Sequence, residues 1–226
     1  MSLASAEKSA RSEPSVGFNL LAIALAVALV GVALAYAIDA ATRESRLPPH
    51  RADGETTLTR TIGGKDIEIP LSWFRFAEQR VEGFARQIDL QLLLPLGANG
   101  SVRPVEVTLL PRSAVRPSAK LLDGVYLHMF EAAQVDGPPG LIGKPLRAEG
   151  GYATETVWYD PISADPFVAK CSAPVAADAE ARCIRMVHLA PGIGAVYAFS
   201  EDLLANWRSF DVEMRSRLAQ IGVVRE

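Results

Sequence analysis

The sequence predicts an α+β fold: an N-terminal transmembrane helix, then a largely antiparallel sheet of seven or eight strands covered by two helices. Three observations carry this expectation. Residues 17–38 carry no charge. The middle of the chain breaks into short runs of alternating polarity, punctuated by Gly and Pro. The last part, from Ser200, repeats its apolar residues at helical spacing.

Residues 1–16 are small and polar, with Glu7, Lys8, Arg11 and Glu13, and read as a disordered cytoplasmic tail. The next stretch, "GFNLLAIALAVALVGVALAYAI", has 22 residues. At about 1.5 Å per residue it reaches about 33 Å, enough to cross a hydrocarbon core of about 30 Å. A cleavable signal has an apolar region of only about 7–15 residues, so an uncleaved anchor is expected, although Ala33-Leu34-Ala35 and Ala35-Tyr36-Ala37 fit a cleavage pattern. Lys8 and Arg11 precede the span, and Arg43, Arg46 and Arg51 follow it, so flanking charge leans slightly against export of the C-terminal part. Small residues four apart, Ala24/Ala28 and Gly31/Ala35, would let two anchors pack closely as a homodimer. Residues 39–54, broken by Pro48 and Pro49, read as a linker, and residues 55–226 as one α+β domain on the periplasmic side.

Within that domain, "TTLTRTIGGKDIEIP" reads as a hairpin turning at Gly63-Gly64. "QIDLQLLLP" and "PVEVTLLP" are two further strands joined by the turn-rich "LGANGSVR". "SAKLLDGVYLHMFEAA" changes to helical period, with Leu121, Leu122, Val125 and Met129 on one face and Gly124 weakening the helix. "GYATETVWYD", "DPFVAK", "CIRMVHL" and "GAVYAFS" read as an antiparallel set, with "APGIG" as the last turn. In the C-terminal helix, Ser200 is a candidate cap, and Leu203, Leu204, Trp207, Phe210, Met214, Leu218 and Ile221 form a stripe suited to packing on a sheet.

Cys171 and Cys183 are the only cysteines. They are either two separately buried thiols in a cytosolic domain or a disulfide in an oxidising compartment. Each lies beside a strand-like run, and antiparallel pairing of those runs would bring the two together at the mouths of their loop. The disulfide would close a short loop and contribute about 3 kcal/mol. It would also place the domain outside the cytoplasm. The spacing matches neither C-x-x-C nor the common zinc patterns.

Chemistry is sparse. The net charge of −3 argues against nucleic acid, and the 49% hydrophobic content argues against a disordered chain. There is no G-x-S-x-G, Walker, H-E-x-x-H or dinucleotide fingerprint, and no metal or cofactor is expected. His128 and His188 read as structural, and Asp160 and Asp165, beside Pro161 and Pro166, as turn residues. The one suggestive surface is "WFRFAEQR". There Trp73, Phe74, Arg75 and Arg80 combine aromatic area with guanidinium groups suited to carboxylates or phosphates, which makes them the candidate binding residues. The alternative is a connection that sends its aromatics into the core.

The stretches "IEIPLSWFRFAEQR…DLQLLLP", "GLIGKPL", "YDP…PFVAKC" and "VYAFSEDLLANWRSFDVEMRSRL" resemble an uncharacterised alphaproteobacterial family of single-span membrane-anchored proteins. The resemblance spans most of residues 60–221. It implies an inner-membrane anchor with a periplasmic domain, and it supplies no activity, ligand or site residue.

The expected function is a non-enzymatic, membrane-anchored periplasmic interaction or structural module that meets a protein of the bacterial envelope. The alternative is an envelope hydrolase or small-ligand-binding protein whose site is assembled from residues distant in sequence. A flat apolar surface would favour the first, a deep polar pocket the second.

Overall fold

The computed structural model describes residues 23–35, 56–149, 154–174, 180–189 and 191–224. The chain divides into two units, Met1–Ser45 and Arg46–Glu226. In the first, residues 23–35 form a helix, α1, whose side chains are exposed. The ends of the expected span, 17–22 and 36–38, and the whole linker up to residue 54 lie outside the described residues. Among the described residues no helix is long and apolar enough to cross a membrane.

The second unit is α+β. Its main sheet has seven strands, all antiparallel, in the order β4-β5-β10-β9-β8-β7-β6. The strands are β4 (Ile88–Leu94), β5 (Arg103–Pro111), β6 (Ile142–Pro145), β7 (Glu155–Tyr159), β8 (Val168–Ser172), β9 (Arg182–His188) and β10 (Ile193–Ser200). Strands β6 to β10 run as a meander, and β10 then pairs with β5 of the earlier hairpin. A separate sheet of three strands holds β1 (Thr57–Ile62), β2 (Lys65–Pro70) and β3 (Gly83–Phe84), in the order β2-β1-β3. The β1–β2 hairpin turns where the sequence places it: Gly63 and Gly64 both have positive φ, at 58° and 77°. The pairing Ile62↔Lys65 leaves those two residues as the loop. Strand β3 runs parallel to β1 and has no pattern in the sequence that announces it.

Alternation along the strands sorts the main sheet into two faces. Leu90, Leu92, Val105, Val107, Ala195, Tyr197 and Phe199 point to one side and are all buried. That face is covered by α3 (Trp207–Ala219), whose Phe210, Met214 and Leu218 are at most 1% exposed. The Phe210 ring lies 4.6 Å from Phe199 and 6.1 Å from Tyr197, centroid to centroid. Burying each such side chain is worth about 1.5–3 kcal/mol. The apolar stripe of the sequence is therefore the face turned to the sheet.

The start of this helix differs from expectation. Ser200 makes no side-chain capping bond, and Glu201–Asn206 forms a 3₁₀ helix that leads into α3. Leu203 and Leu204 are adjacent and both buried, and the tighter winding precedes a helix whose N-cap, Asn206, donates its side-chain amide to the Leu96 carbonyl at 2.7 Å.

The second helix is also shorter than its apolar period suggests. Helix α2 covers only Ser118–Gly124 and gives way to a 3₁₀ turn at Tyr126–His128. Gly124 ends the helix, and Val125 turns the chain with φ −137° and ψ −61°. Leu122 and Tyr126 still pack together, with Leu146, Val157 and Val168, as a small second core on the opposite face of the sheet.

Candidate functional site

Cys171 and Cys183 stand directly opposite each other on β8 and β9 and are joined by a disulfide, with Cα atoms 3.9 Å apart. The sequence placed them at the mouths of a loop, and strand pairing brings them into register. Both are buried, at 3% and 0% exposure, on the α3 side of the sheet.

The "WFRFAEQR" segment is strapped to the first strand of the main sheet. Phe74 forms an isolated bridge with Leu90, and the Arg75 amide donates to the Asp89 carbonyl at 3.0 Å. Asp89, only 7% exposed, accepts side-chain bonds from Gln79 (2.7 Å), Gln87 (2.8 Å) and Thr108 (2.7 Å), while its own amide donates to Gln79 Oε1 at 2.8 Å. A buried carboxylate with several donors is satisfied in place. Asp89 therefore holds the strap, a role the sequence pattern did not single out.

The four candidate binding residues separate. Phe74 is 1% exposed and part of the main core, and Trp73 packs against that core half-buried. Arg75 pairs with Glu106 at 2.7 Å and lies over the Phe76 ring at 5.1 Å. Arg80 is half-buried at the end of the strap, with its backbone amide donating to Ala77. Glu106 also receives Arg182 at 2.9 Å, so a row Arg75–Glu106–Arg182 crosses the sheet from the strap toward β9. Beside it, on the face away from α3, run Val196, Ala198 and Ile184, the last 39% exposed. Helix α2 covers one side of this face, over β8 and part of β9, and the strap the other; among the described residues the strip over β5, β10 and the Arg182–Ile184 end of β9 stays partly exposed.

His188 is half-buried, with Nε2 2.8 Å from the Val115 carbonyl, and His128 is exposed in its 3₁₀ turn. Asp160 accepts the Ile162 amide at 3.0 Å, which is turn chemistry.

On the α3 side there is an open cleft of about 430 Å³ at the β9–β10 turn end of the sheet. Arg185 of β9 is 7% exposed and forms a forked pair with Asp211 of α3, Nε to Oδ1 at 3.0 Å and Nη2 to Oδ2 at 2.6 Å. Its remaining nitrogen donates to the Val168 carbonyl at 3.2 Å, and the guanidinium lies 4.5 Å from the Phe167 ring centroid. Opposite Arg185 in register stands Tyr197, 2% exposed and also lining the cleft. Burial raises its phenol pKa above the ordinary value. Asp211 pushes it further up, and Arg185 and Arg215 oppose. Among the described residues no three His, Cys, Asp or Glu side chains are grouped to hold a metal.

No protein-family model matches the chain, and no curated protein matches it. Among solved structures, it is similar in fold to an immunity protein of the Stenotrophomonas maltophilia type IV secretion system. The TM-score is 0.50 at 11% sequence identity, and the match covers 74% of this chain and 93% of that one.

Proposed function

We propose that the chain is an envelope-anchored interaction module, held in the inner membrane by residues 17–38, with its α+β domain in the periplasm binding a protein partner. The observation that carries this reading is the fold likeness to an immunity protein, which takes in 93% of that chain and so compares whole domains rather than a shared hairpin. The disulfide supports the compartment, because such bonds persist where the surroundings are oxidising. The open strip over β5, β10 and β9 supports the activity, since it offers apolar area beside paired charges on a rigid sheet. The resemblance to the alphaproteobacterial membrane-anchored family supports the same topology.

The test is in-cell photocrosslinking. A benzophenone amino acid at Ile184 should trap a defined protein from native membranes, and the same probe at exposed Val212 on α3 should not. Equal products at both positions, or none at either, would reject the reading. Alkaline phosphatase, active only after export, fused behind Glu226 should be active; a stable but inactive fusion would reject the periplasmic placement.

A further inference from the structure

The two edges of the small sheet differ. Strand β2 carries Lys65, Asp66 and Glu68 and ends in Pro70, the kind of charged edge that discourages contact. Strand β3, at the other edge, shows Phe84 at 70% exposure, and Val81 just before it is 56% exposed. Ile62, Ile67 and Ile69 belong to the main core. Phe84 stands beside Thr61 in register, and Thr61 alternates with Ile62, so the Phe84 ring points away from that core. The segment is braced from behind. Arg60, 7% exposed, donates Nη1 to the carbonyls of Val81 and of Glu82, the latter at 3.4 Å. The Ala85 amide donates to the Thr61 carbonyl at 2.9 Å. A buried guanidinium is costly unless its hydrogen bonds are made, and this one bonds the backbone that presents the two apolar side chains. Charge around them is balanced: Glu78, Arg80, Glu82 and Arg86 alternate in sign along the chain. Asp66 and Glu68, in register with Thr61 and Thr59, share the outer face with Phe84.

We propose that Val81 and Phe84 rest in the surface of a phospholipid bilayer, with the backbone between them left at headgroup level. The inference rests on the reading that residues 17–38 anchor the chain in the membrane. Residues 39–54 can reach at most about 55 Å. The chain then enters β1 at Thr57, and β1 is the strand that β3 pairs with. Such a tether confines the domain to the neighbourhood of the bilayer. A contact of two side chains, too weak to hold a free domain, suffices for a tethered one. A bilayer also accepts a protruding side chain anywhere on its surface, whereas a protein partner has to provide a matching pocket. With the surrounding charge balanced, apolar insertion carries the contact, and neutral phospholipid serves as well as anionic. Phe84 belongs to the small sheet and Ile184 to the large one, so the partner strip keeps its own surface.

The test reconstitutes the full-length chain into phosphatidylcholine vesicles with a benzophenone amino acid at Phe84 and counts lipid adducts by mass spectrometry. This probe should give several-fold more adduct than the same probe at Ile162, which is 90% exposed, or at Val212. Added phosphatidylglycerol or high salt should change the yield little. Val81→Asp, at an exposed position, should lower it several-fold and leave the melting temperature unchanged. Equal adducts at all three positions, from a chain that resists carbonate extraction, would overturn the lipid contact and leave the anchor standing. Adducts that require phosphatidylglycerol would overturn apolar insertion. A chain that carbonate removes from the vesicles would overturn the anchor and this contact with it. In native membranes, a defined protein adduct from Phe84 in place of lipid would assign the segment to a protein partner and overturn the proposal.

Discussion

Cys171 lies squarely across from Cys183 on adjacent antiparallel strands, and the disulfide between them joins two strands that already share a ladder. The bond constrains the unfolded chain more than it adds to the folded one. Replacing both with alanine avoids burying two hydroxyls and should lower stability by up to about 3 kcal/mol, less if the unfolded loop is already compact. Denaturant melts of wild type and the Cys171→Ala/Cys183→Ala variant measure this. Protein taken directly from cells and unfolded without reductant should take up no thiol label, and two labels after reduction. Two labels before reduction would contradict the bond and remove its support for a periplasmic domain.

Trp158 rests on glycine. A Cβ at Gly143, its partner across β6 and β7, or at Gly137 would run into the indole ring. The ring is 4% exposed, and its Nε1 donates to Glu201 at 3.3 Å. Gly143→Ala should therefore push the ring outward, at about 1–3 kcal/mol, the range for overpacking a filled core. A red-shifted tryptophan emission together with a lower urea midpoint would report it. An unchanged midpoint would mean the strand edge yields without strain.

Arg185 and Asp211 should behave as a unit. Asp211→Ala leaves a buried guanidinium without its counter-charge and should cost about 3 kcal/mol, whereas Arg185→Met/Asp211→Leu, which removes both charges, should come close to neutral. Urea unfolding of the two variants separates pairing from packing. Equal losses in both would show that the contribution comes from the shape of the side chains.

Tyr197 sets an alkaline limit. Its phenol pKa is raised by burial, so the folded state holds the proton more tightly than the unfolded chain. The stabilising difference is complete below the unfolded value of about 10 and is lost as pH climbs from there toward the folded value. Wild type should lose stability above about pH 10 more steeply than Tyr197→Phe. Near neutral pH the two should melt together, because the hydroxyl has no partner among the described residues. A lower melting temperature of Tyr197→Phe at neutral pH would reveal a structural bond to the hydroxyl.

The sequence by itself determined what is local. The Gly63-Gly64 turn, the "QIDLQLLLP" and "PVEVTLLP" strands, the α+β class and the sheet-packing stripe of α3 all follow from short-range rules: a glycine pair that accepts positive φ, alternation with a period of two, and apolar spacing near 3.6. The cysteine pair was also legible, because each cysteine sits in a strand-like run joined by one loop. The tertiary structure decided what depends on residues far apart. Strand β10 finds β5 rather than an earlier neighbour, β3 pairs in parallel with β1, and Gly124 ends α2 although the apolar period runs on past it. The aromatic strap reads as one binding patch in sequence, yet Phe74 goes to the core and Arg75 to Glu106. The reason is that Asp89, on another element, gathers Gln79, Gln87 and Thr108 and fixes which way the strap faces. The cleft is the extreme case: Arg185, Tyr197, Asp211 and Arg215 come from two strands and a helix, and no spacing in the chain records that their side chains meet. Hydrogen-bond partners and burial are properties of the packed molecule, so the forked pair of Arg185 with Asp211 becomes visible only once strand and helix have met.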